Sequence, residues 1–170
     1  MSNEVPRDEL ITAVLQAVAA FQDAADQVDE AAARRLGVNR TDLRCLGSLT
    51  RAGAMTAGQL AAAAGLSPGA ATTAVDRLAD AGFARRVRDQ QDRRRVTVEA
   101  TPTAHARSEE IWGPIGHESH QRLSRRTDAQ LRAIRDFLEE GRRLQVEHAA
   151  RIARERGAAV RATRSGTSSQ

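Results

Sequence analysis

The feature that most constrains the fold is a close succession of helix boundaries near the middle of the chain. Thr56 and Gln59 have the spacing of a capping box, in which each side chain satisfies a free backbone amide at the start of a helix. Gly65 can end this helix in the left-handed conformation, and Ser67-Pro68 supplies the N-cap and first position of the next helix. Gly82 follows as the end of that helix. The spacing therefore predicts two short helices joined by a tight turn.

Two short extended segments follow these helices. Residues 84–88 and 95–100 flank a polar stretch, and apolar residues in the second segment alternate with polar ones, as in a strand. The pattern predicts a β-hairpin with Asp92, Arg93 and Arg94 at its tip. A pair of short helices followed by such a hairpin is the arrangement of a winged helix-turn-helix, whose second helix can enter the major groove of DNA.

The segments on either side of this module are predicted to be helical. Apolar residues recur every three or four positions from residue 8 to 36, and again after Thr101-Pro102 and after Thr127. Only 2% of the residues are aromatic, so the core must consist mainly of Ala, Leu, Val and Ile, which favours packed helices. Gly113-Pro114 is expected to kink the fifth helix. The predicted fold class is mainly α with a small β-hairpin wing, a winged helix-turn-helix flanked by long dimerisation helices.

The domain boundaries follow from these elements. Residues 1–36 are expected to be an N-terminal dimerisation helix, 38–100 the winged helix-turn-helix DNA-binding domain, and 101–156 the C-terminal dimerisation helices. The long helices have apolar faces outside the winged module, and a single chain would leave those faces exposed, which predicts a homodimer. Residues 157–170 are rich in Gly, Ser, Thr and Arg and are expected to be a disordered basic tail.

Charge and composition indicate the class of partner. The net charge of +4 is unevenly distributed, with an acidic excess in residues 1–36 and arginine excesses in residues 85–95 and 142–170. A concentrated basic segment within the hairpin favours a polyanion, here double-stranded DNA. No apolar run reaches the roughly 18 residues of a membrane span, and the N-terminal residues do not have the pattern of a secretory signal. Because Cys45 is also the sole cysteine, a cytoplasmic protein without a membrane partner is expected.

The predicted DNA contacts lie at the turn, on the helix that begins at Ser67-Pro68 and on the hairpin. Small residues allow the second helix to approach the floor of the groove, and threonines can contact bases through their hydroxyl and methyl groups. The capped helix start suits a phosphate, and an arginine of the hairpin can enter the minor groove. The predicted DNA-binding residues are Thr56, Gln59, Ser67, Gly69, Ala70, Thr72, Thr73, Arg77, Arg86, Arg88, Asp92, Arg93 and Arg94.

The ordered set of motifs resembles the MarR family of bacterial regulators. The motifs that carry the resemblance are Leu60-Ala61, Gly65-Leu66-Ser67-Pro68, Val75-Asp76-Arg77-Leu78, Gly82-Phe83 and Asp92-Arg93-Arg94-Arg95-Val96. The six-helix layout with one wing extends the resemblance over nearly the whole chain. It implies a homodimer joined through its first, fifth and sixth helices, which binds a palindromic operator, usually as a repressor, and releases it when a small ligand or oxidant acts. It also implies that Asp92 pairs with Arg94 in the wing.

Two features depart from the family pattern. Thr72-Thr73 stands where the family often has Ser-Arg, so an arginine suited to guanine is missing and the operator sequence cannot be transferred from relatives. Ala100-Thr101-Pro102 stands where the family often has Leu-Thr with a glycine three residues later, and is expected to give a tighter helix start without functional effect.

Cysteine and histidine residues each admit a plain and a functional interpretation. A further helix is predicted between its cap Asn39 and Gly53, the second helix of the chain. Cys45 has the spacing of a core position on it, and no sequence feature favours the lowered pKa that a redox role requires. His117 and His120 lie three residues apart and could bind a metal, but their number and spacing favour a partly exposed polar face.

Trp112 has two interpretations as well. It is either an interface residue or an aromatic wall of a small-ligand pocket at the junction of the first, second and fifth helices. In the second interpretation Phe21 and Arg44 are its neighbours, and the effector is a small anionic or aromatic compound.

These observations predict a sequence-specific DNA-binding transcriptional regulator, expected to be a repressor, that uses no cofactor. The sequence holds no phosphate-binding glycine loop, nucleophile elbow or converging carboxylate pair of the kind that indicates an enzyme. The first alternative is a constitutive architectural DNA-binding protein without an effector. The second is an interaction module that has kept the fold without the DNA binding, against which the intact wing tip argues.

Overall fold

Most of the described chain is helical. The computed structural model describes residues 6–88 and 96–166, with side chains as far as residue 155. Its helices are α1 (Arg7–Leu36), α2 (Arg40–Ala52), α3 (Ala57–Ala64), α4 (Pro68–Asp80), α5 (Pro102–Leu123) and α6 (Asp128–Gly166). Its strands are β1 (Met55–Thr56), β2 (Ala84–Arg88) and β3 (Val96–Ala100). The predicted class, mainly α with a small β wing, is confirmed.

The three strands form one antiparallel sheet in the order β1-β3-β2. β2 and β3 pair along their whole length, which confirms the predicted hairpin, and the tip at residues 89–95 lies outside the described residues. The sheet differs from the prediction in its third strand, because Met55 of β1 pairs with Val98 of β3. A two-residue strand is too short to show the alternation on which a strand prediction depends.

The predicted boundaries of α3 and α4 are confirmed by hydrogen bonds. Gln59 N donates to Thr56 Oγ1 (3.2 Å), and Thr56 N donates to Gln59 Oε1 (2.9 Å), which completes the capping box. At the start of α4, Ala70 N donates to Ser67 Oγ (3.3 Å). Between the two helices Gly65 has a φ of +61°, a left-handed conformation that glycine adopts without the steric cost of a Cβ atom.

The main hydrophobic core joins α2, α3, α4 and the sheet within the unit that ends at Ile115. Small residues, Ala64, Ala71 and Ala74, are buried where α3 and α4 meet, so the two helices approach closely. The largest fully buried side chains are Leu46, Leu49, Leu60, Val75, Leu78 and Cys45. The helices that form the turn therefore share this core with α2 and the sheet.

A second, smaller cluster connects α1 with α2 and α5. Ala32 and Ala33 of α1 and Leu43 of α2 are buried, and Ile111 and Trp112 of α5 pack against them. The C-terminal end of α1 is thereby attached to the winged module.

The second unit, residues 116–170, contains the end of α5 and all of α6. The helical backbone of α6 continues to Gly166 and residues 167–170 lie outside the described residues, so the disordered tail expected over 157–170 stays a prediction. α5 also continues through Pro114 as one helix. In the part of the chain that the structure describes, no helix is long and apolar enough to cross a membrane.

Candidate nucleic-acid interface

The turn between α3 and α4 is closed by backbone hydrogen bonds. Leu66 N donates to Ala61 O (2.8 Å) and Gly65 N donates to Ala62 O (3.2 Å), so the free carbonyls at the end of α3 are satisfied. Because the turn is this short, α4 crosses α3 immediately and its first turn is presented at the surface. This is the arrangement in which a second helix is placed in the major groove.

The exposed face of α4 carries the small and hydroxylated residues predicted to meet DNA. Gly69, Ala70, Thr72 and Thr73 are all exposed. Thr72 Oγ1 donates to Pro68 O and Thr73 Oγ1 donates to Gly69 O, each at 3.0 Å. Since both hydroxyl hydrogens are directed at the helix backbone, the oxygen lone pairs and the methyl groups are what these threonines can offer to a base edge.

Arg77, predicted to face DNA, has a partner within the protein. Its Nε donates to Asp42 Oδ2 (2.9 Å) and its Nη2 donates to Asp42 Oδ1 (2.6 Å). The Asp42 side chain is 4% exposed and the Arg77 side chain 45% exposed. The hydrogen bonds to Asp42 raise the pKa of Arg77 above its ordinary value, so the guanidinium is firmly charged. A DNA contact of Arg77 stays a prediction, alongside this observed link between α4 and α2.

Two of the three arginines of β2 are also paired. Arg86 Nη2 donates to Asp76 Oδ1 (2.6 Å), which ties the base of the wing to α4. Arg85 Nε donates to Glu99 Oε1 (2.6 Å) across the β2–β3 ladder, where the two residues are directly opposite. Arg88 is exposed at the end of β2, next to the wing tip.

The predicted tip residues Asp92, Arg93 and Arg94 lie outside the described residues, so their DNA contacts and the Asp92–Arg94 pair stay predictions.

The residues proposed for a ligand pocket are not brought together within one chain. Trp112 is half-buried against Ala32, Ala33 and Leu43, at the predicted junction of α1, α2 and α5. Phe21 is 70% exposed. It lies three helical turns before Ala32, which is about 16 Å along α1. Arg44 is exposed on α2, next to the cluster. Of these three residues, Trp112 is the one that packs against the cluster.

Cys45 and the histidines have surroundings of different kinds. Cys45 is completely buried in the main core, and burial raises the pKa of its thiol, with a further contribution from Asp42. This confirms the core position and gives no thiolate for redox chemistry at neutral pH. Gln121 Nε2 donates to His117 Nε2 (2.9 Å). Within residues 6–88 and 96–155, no three His, Cys, Asp or Glu side chains are grouped as for a metal ion.

The acidic partners of these arginines were not predicted from the sequence. Asp42 is recognisable in the sequence only as an acid in the first turn of α2, where the helix dipole favours it. Its partner is 35 residues away, and no local pattern connects the two.

A short capped helix, a glycine turn, a second capped helix and a paired wing define a winged helix-turn-helix protein. The MarR family profile matches residues 38–96, which extend from the start of α2 through α3, α4 and β2 to the first residue of β3. The uncharacterized HTH-type transcriptional regulator YcgE of Bacillus subtilis (strain 168) is 33% identical over 138 residues, or 81% of this chain and 90% of YcgE. The chain therefore belongs to the MarR family of transcriptional regulators, whose members bind DNA and act as dimers.

Solved structures share the fold at lower sequence identity. A MarR family protein from Bacillus stearothermophilus has a TM-score of 0.62 at 16% identity, covering 84% of this chain and 99% of that protein. NadR in complex with 4-hydroxyphenylacetate has a TM-score of 0.56 at 19% identity, covering 82% of this chain and 94% of NadR.

Proposed function

We propose that this protein is a repressor that binds a pseudo-palindromic operator in double-stranded DNA as a homodimer and leaves it when a small effector binds. The observation that carries the proposal is the exposed first half of α4, from Gly69 to Thr73, on a helix whose opposite face is buried in the core. In this proposal the predicted turn, helix and wing residues contact DNA, and the chain acts as a binding protein rather than an enzyme, in the compartment that holds its DNA.

The chemistry of Thr72 and Thr73 suggests what α4 recognises. Their hydroxyls are arranged to accept hydrogen bonds, and their methyl groups offer apolar contact. An adenine–thymine pair presents both an amino donor and a methyl group in the major groove. We therefore expect adenine–thymine pairs beneath these threonines in each half-site.

Exposed apolar side chains on the long helices support dimerisation. Such residues recur along α1 and α6, and a contiguous apolar face of this kind marks an interaction surface. The exposed residues are Leu10, Ile11, Val14, Leu15, Phe21 and Val28 on α1, and Ile134, Phe137, Leu138, Leu144, Val146 and Ile152 on α6. The segments 1–36 and 101–156 thus keep their proposed role as dimerisation helices around the DNA-binding domain.

The junction around Trp112 is the proposed effector site. Trp112 contacts both α1 and α2, and the arginine at position 44 lies beside the buried Leu43 of the same cluster. An aromatic ring and a guanidinium suit a small aromatic anion. NadR, which shares the fold, was solved with 4-hydroxyphenylacetate, a compound of that chemical class. In a dimer, Phe21 of the second chain could complete such a site.

The test is selection of binding sites from a pool of random-sequence duplexes. The protein should enrich a pseudo-palindrome with half-sites about one turn apart, roughly 10 base pairs, and sediment as a dimer at micromolar concentration. A protected footprint shorter than about 15 base pairs, or a monomer, would contradict the dimeric mode.

The same selection tests the constitutive alternative. An architectural protein would enrich no sequence, and its affinities for selected and scrambled duplexes would be similar, whereas a regulator separates them by at least about 1,000-fold. Effector control is tested by titrating aromatic carboxylates while following Trp112 fluorescence and DNA release together. If compounds release DNA without changing that emission, the effector site is elsewhere.

A further inference from the structure

The buried carboxylate of Asp42 is unusual for its surroundings. Among the residues whose side chains are described, Asp42 is the only buried charged residue, and Ser48 is the only other buried polar residue. Its own backbone nitrogen donates to Asn39 Oδ1 (2.9 Å), which fixes it in the first turn of α2. A carboxylate is rarely removed from water unless a cation pairs with it, so its function depends on the partner.

That partner, Arg77, lies on the face of α4 proposed to meet DNA. Arg77 follows Thr73 by four residues and therefore lies on the same side of the helix. Asp42 holds the guanidinium through Nε and Nη2, in the bidentate geometry that restricts both rotation and position. The Nη1 atom is not part of this pair, and nearly half of the side chain is exposed. An arginine held in this way meets a phosphate or base with little further loss of side-chain freedom.

We propose that Asp42 is a positioning residue for DNA binding, which orients Arg77 and holds the exposed face of α4 at a fixed angle to α2. This inference rests on the proposed function, because it assumes that α4 contacts DNA. It assigns a role to a residue that never touches the nucleic acid itself.

The pair has an electrostatic consequence that separates positioning from simple attraction. Asp42 cancels the charge of Arg77, so the pair adds little to the attraction between the protein and any DNA. Its contribution is instead the geometry of the contact, which matters only for a matched sequence. Removal of the Asp42 charge should therefore weaken specific binding without weakening non-specific binding.

The experiment compares two duplexes of equal length, one selected from a random pool by the unaltered protein and one with the same bases scrambled. Asp42→Asn preserves the size of the side chain and removes its charge. It should weaken binding to the selected duplex at least about tenfold, the effect of a charge-assisted pair. Binding to the scrambled duplex should be unchanged or stronger, since a negative charge has been removed.

Arg77→Lys should also weaken binding to the selected duplex and leave binding to the scrambled duplex unweakened, because lysine keeps the charge but cannot form the two-point contact. In an Arg77→Ala background, Asp42→Asn should change affinity for the selected duplex less than about twofold, because coupled residues do not act additively. Ser48→Ala is the matched control. Its hydroxyl donates only to Arg44 O on the same helix among the described contacts, and its removal should leave the ratio of the two affinities unchanged.

Equal weakening on both duplexes, or full affinity of Asp42→Asn for the selected one, would overturn the inference. If circular dichroism shows that Asp42→Asn does not fold, the affinities of Arg77→Lys for the selected and scrambled duplexes test the inference instead. An unaltered protein that enriches no duplex would refute the proposed function and this inference with it. A failure of the inference alone leaves that enrichment intact.

Discussion

The winged module and the long helices bury their apolar side chains to very different degrees. Leu60 of α3 and Leu78 of α4 are 0% exposed. Leu15 and Phe21 of α1 are 63% and 70% exposed, and Leu138 of α6 is 56% exposed. These side chains are similar in size and in transfer free energy, so the contrast reflects what surrounds them rather than what they are.

The contrast indicates that the winged module closes its interior within one chain, whereas the long helices need a second surface. The two regions should therefore respond differently to substitution. Changes in the module should lower the free energy of unfolding, and changes on the long helices should first weaken association. The predictions below test that difference.

The largest effect is expected in the core of the module. Leu60→Ala should lower the free energy of unfolding by about 2–5 kcal/mol, because it removes buried methyl groups and leaves a cavity. Leu60→Met should cost less than about 1.5 kcal/mol, since it keeps the volume. Denaturant unfolding at a fixed protein concentration measures both. A loss below about 1 kcal/mol for Leu60→Ala, under what such cavities cost, would show that the interior is not closed.

The next effect is expected on α6. Leu138 lines an open apolar groove with Leu123, Leu131 and Ile134, and Leu138→Glu adds a charge that a single chain keeps in water. In a dimer that covers the groove, the charge would be buried without a partner. We expect the dissociation constant of the dimer to rise at least about 100-fold, which corresponds to roughly 2.7 kcal/mol of association free energy. Sedimentation measures this constant.

Arg143→Glu is the matched control for that substitution. It introduces the same side chain at an exposed position on the opposite side of α6, where the helical period places it away from Ile134. It should leave the dimer intact. If both variants dissociate, general charge rather than the groove is responsible, and if neither does, the groove is not in the interface.

The third prediction concerns the wing. Arg94, outside the described residues, is proposed to contact DNA, and Arg94→Ala should weaken operator binding about tenfold and reduce the salt slope by about 0.9. Helical content should not change. Arg85→Ala is the control, because Arg85 pairs with Glu99 across the sheet and is not among the predicted contacts. If Arg94→Ala and Arg85→Ala weaken operator binding equally, the wing tip has no special role in DNA binding.

The sequence was sufficient for the winged module because its signals are local. A capping box, a left-handed glycine and a Ser-Pro helix start each depend on residues within four positions of one another, as at Thr56 and Gln59. The sequence was insufficient where the partner is distant. The pair of Asp42 with Arg77 joins two helices, and β1 is a strand only because β3 lies beside it. The exposed side of α4 was predicted correctly from its period, but the acid that holds its arginine, Asp42, was not predicted.

The smallest expected effect is a pH dependence of the free energy of unfolding that arises from Cys45. The amino-acid composition makes this effect measurable. Burial raises the pKa of the Cys45 thiol in the folded chain, so the unfolded chain loses that proton at a lower pH. The stabilising contribution is fully present below the ordinary thiol pKa, about 8.5. It is lost as the pH rises from there through the raised value, by at most about 1.4 kcal/mol per pH unit. The chain has no lysine and no tyrosine, so no other side chain titrates in this window.

The measurement is the free energy of unfolding between pH 8 and pH 10, the window set by the ordinary thiol pKa of about 8.5, for the parent and Cys45→Ala. The parent should lose stability across this window while Cys45→Ala stays level, because alanine has no proton to lose. The smaller side chain lowers stability at every pH by the same amount and does not alter the slope. In the native chain a thiol reagent should react far more slowly than in the unfolded chain. Parallel pH profiles, together with rapid native labelling, would show that the thiol is open to water and that α2 does not pack as described.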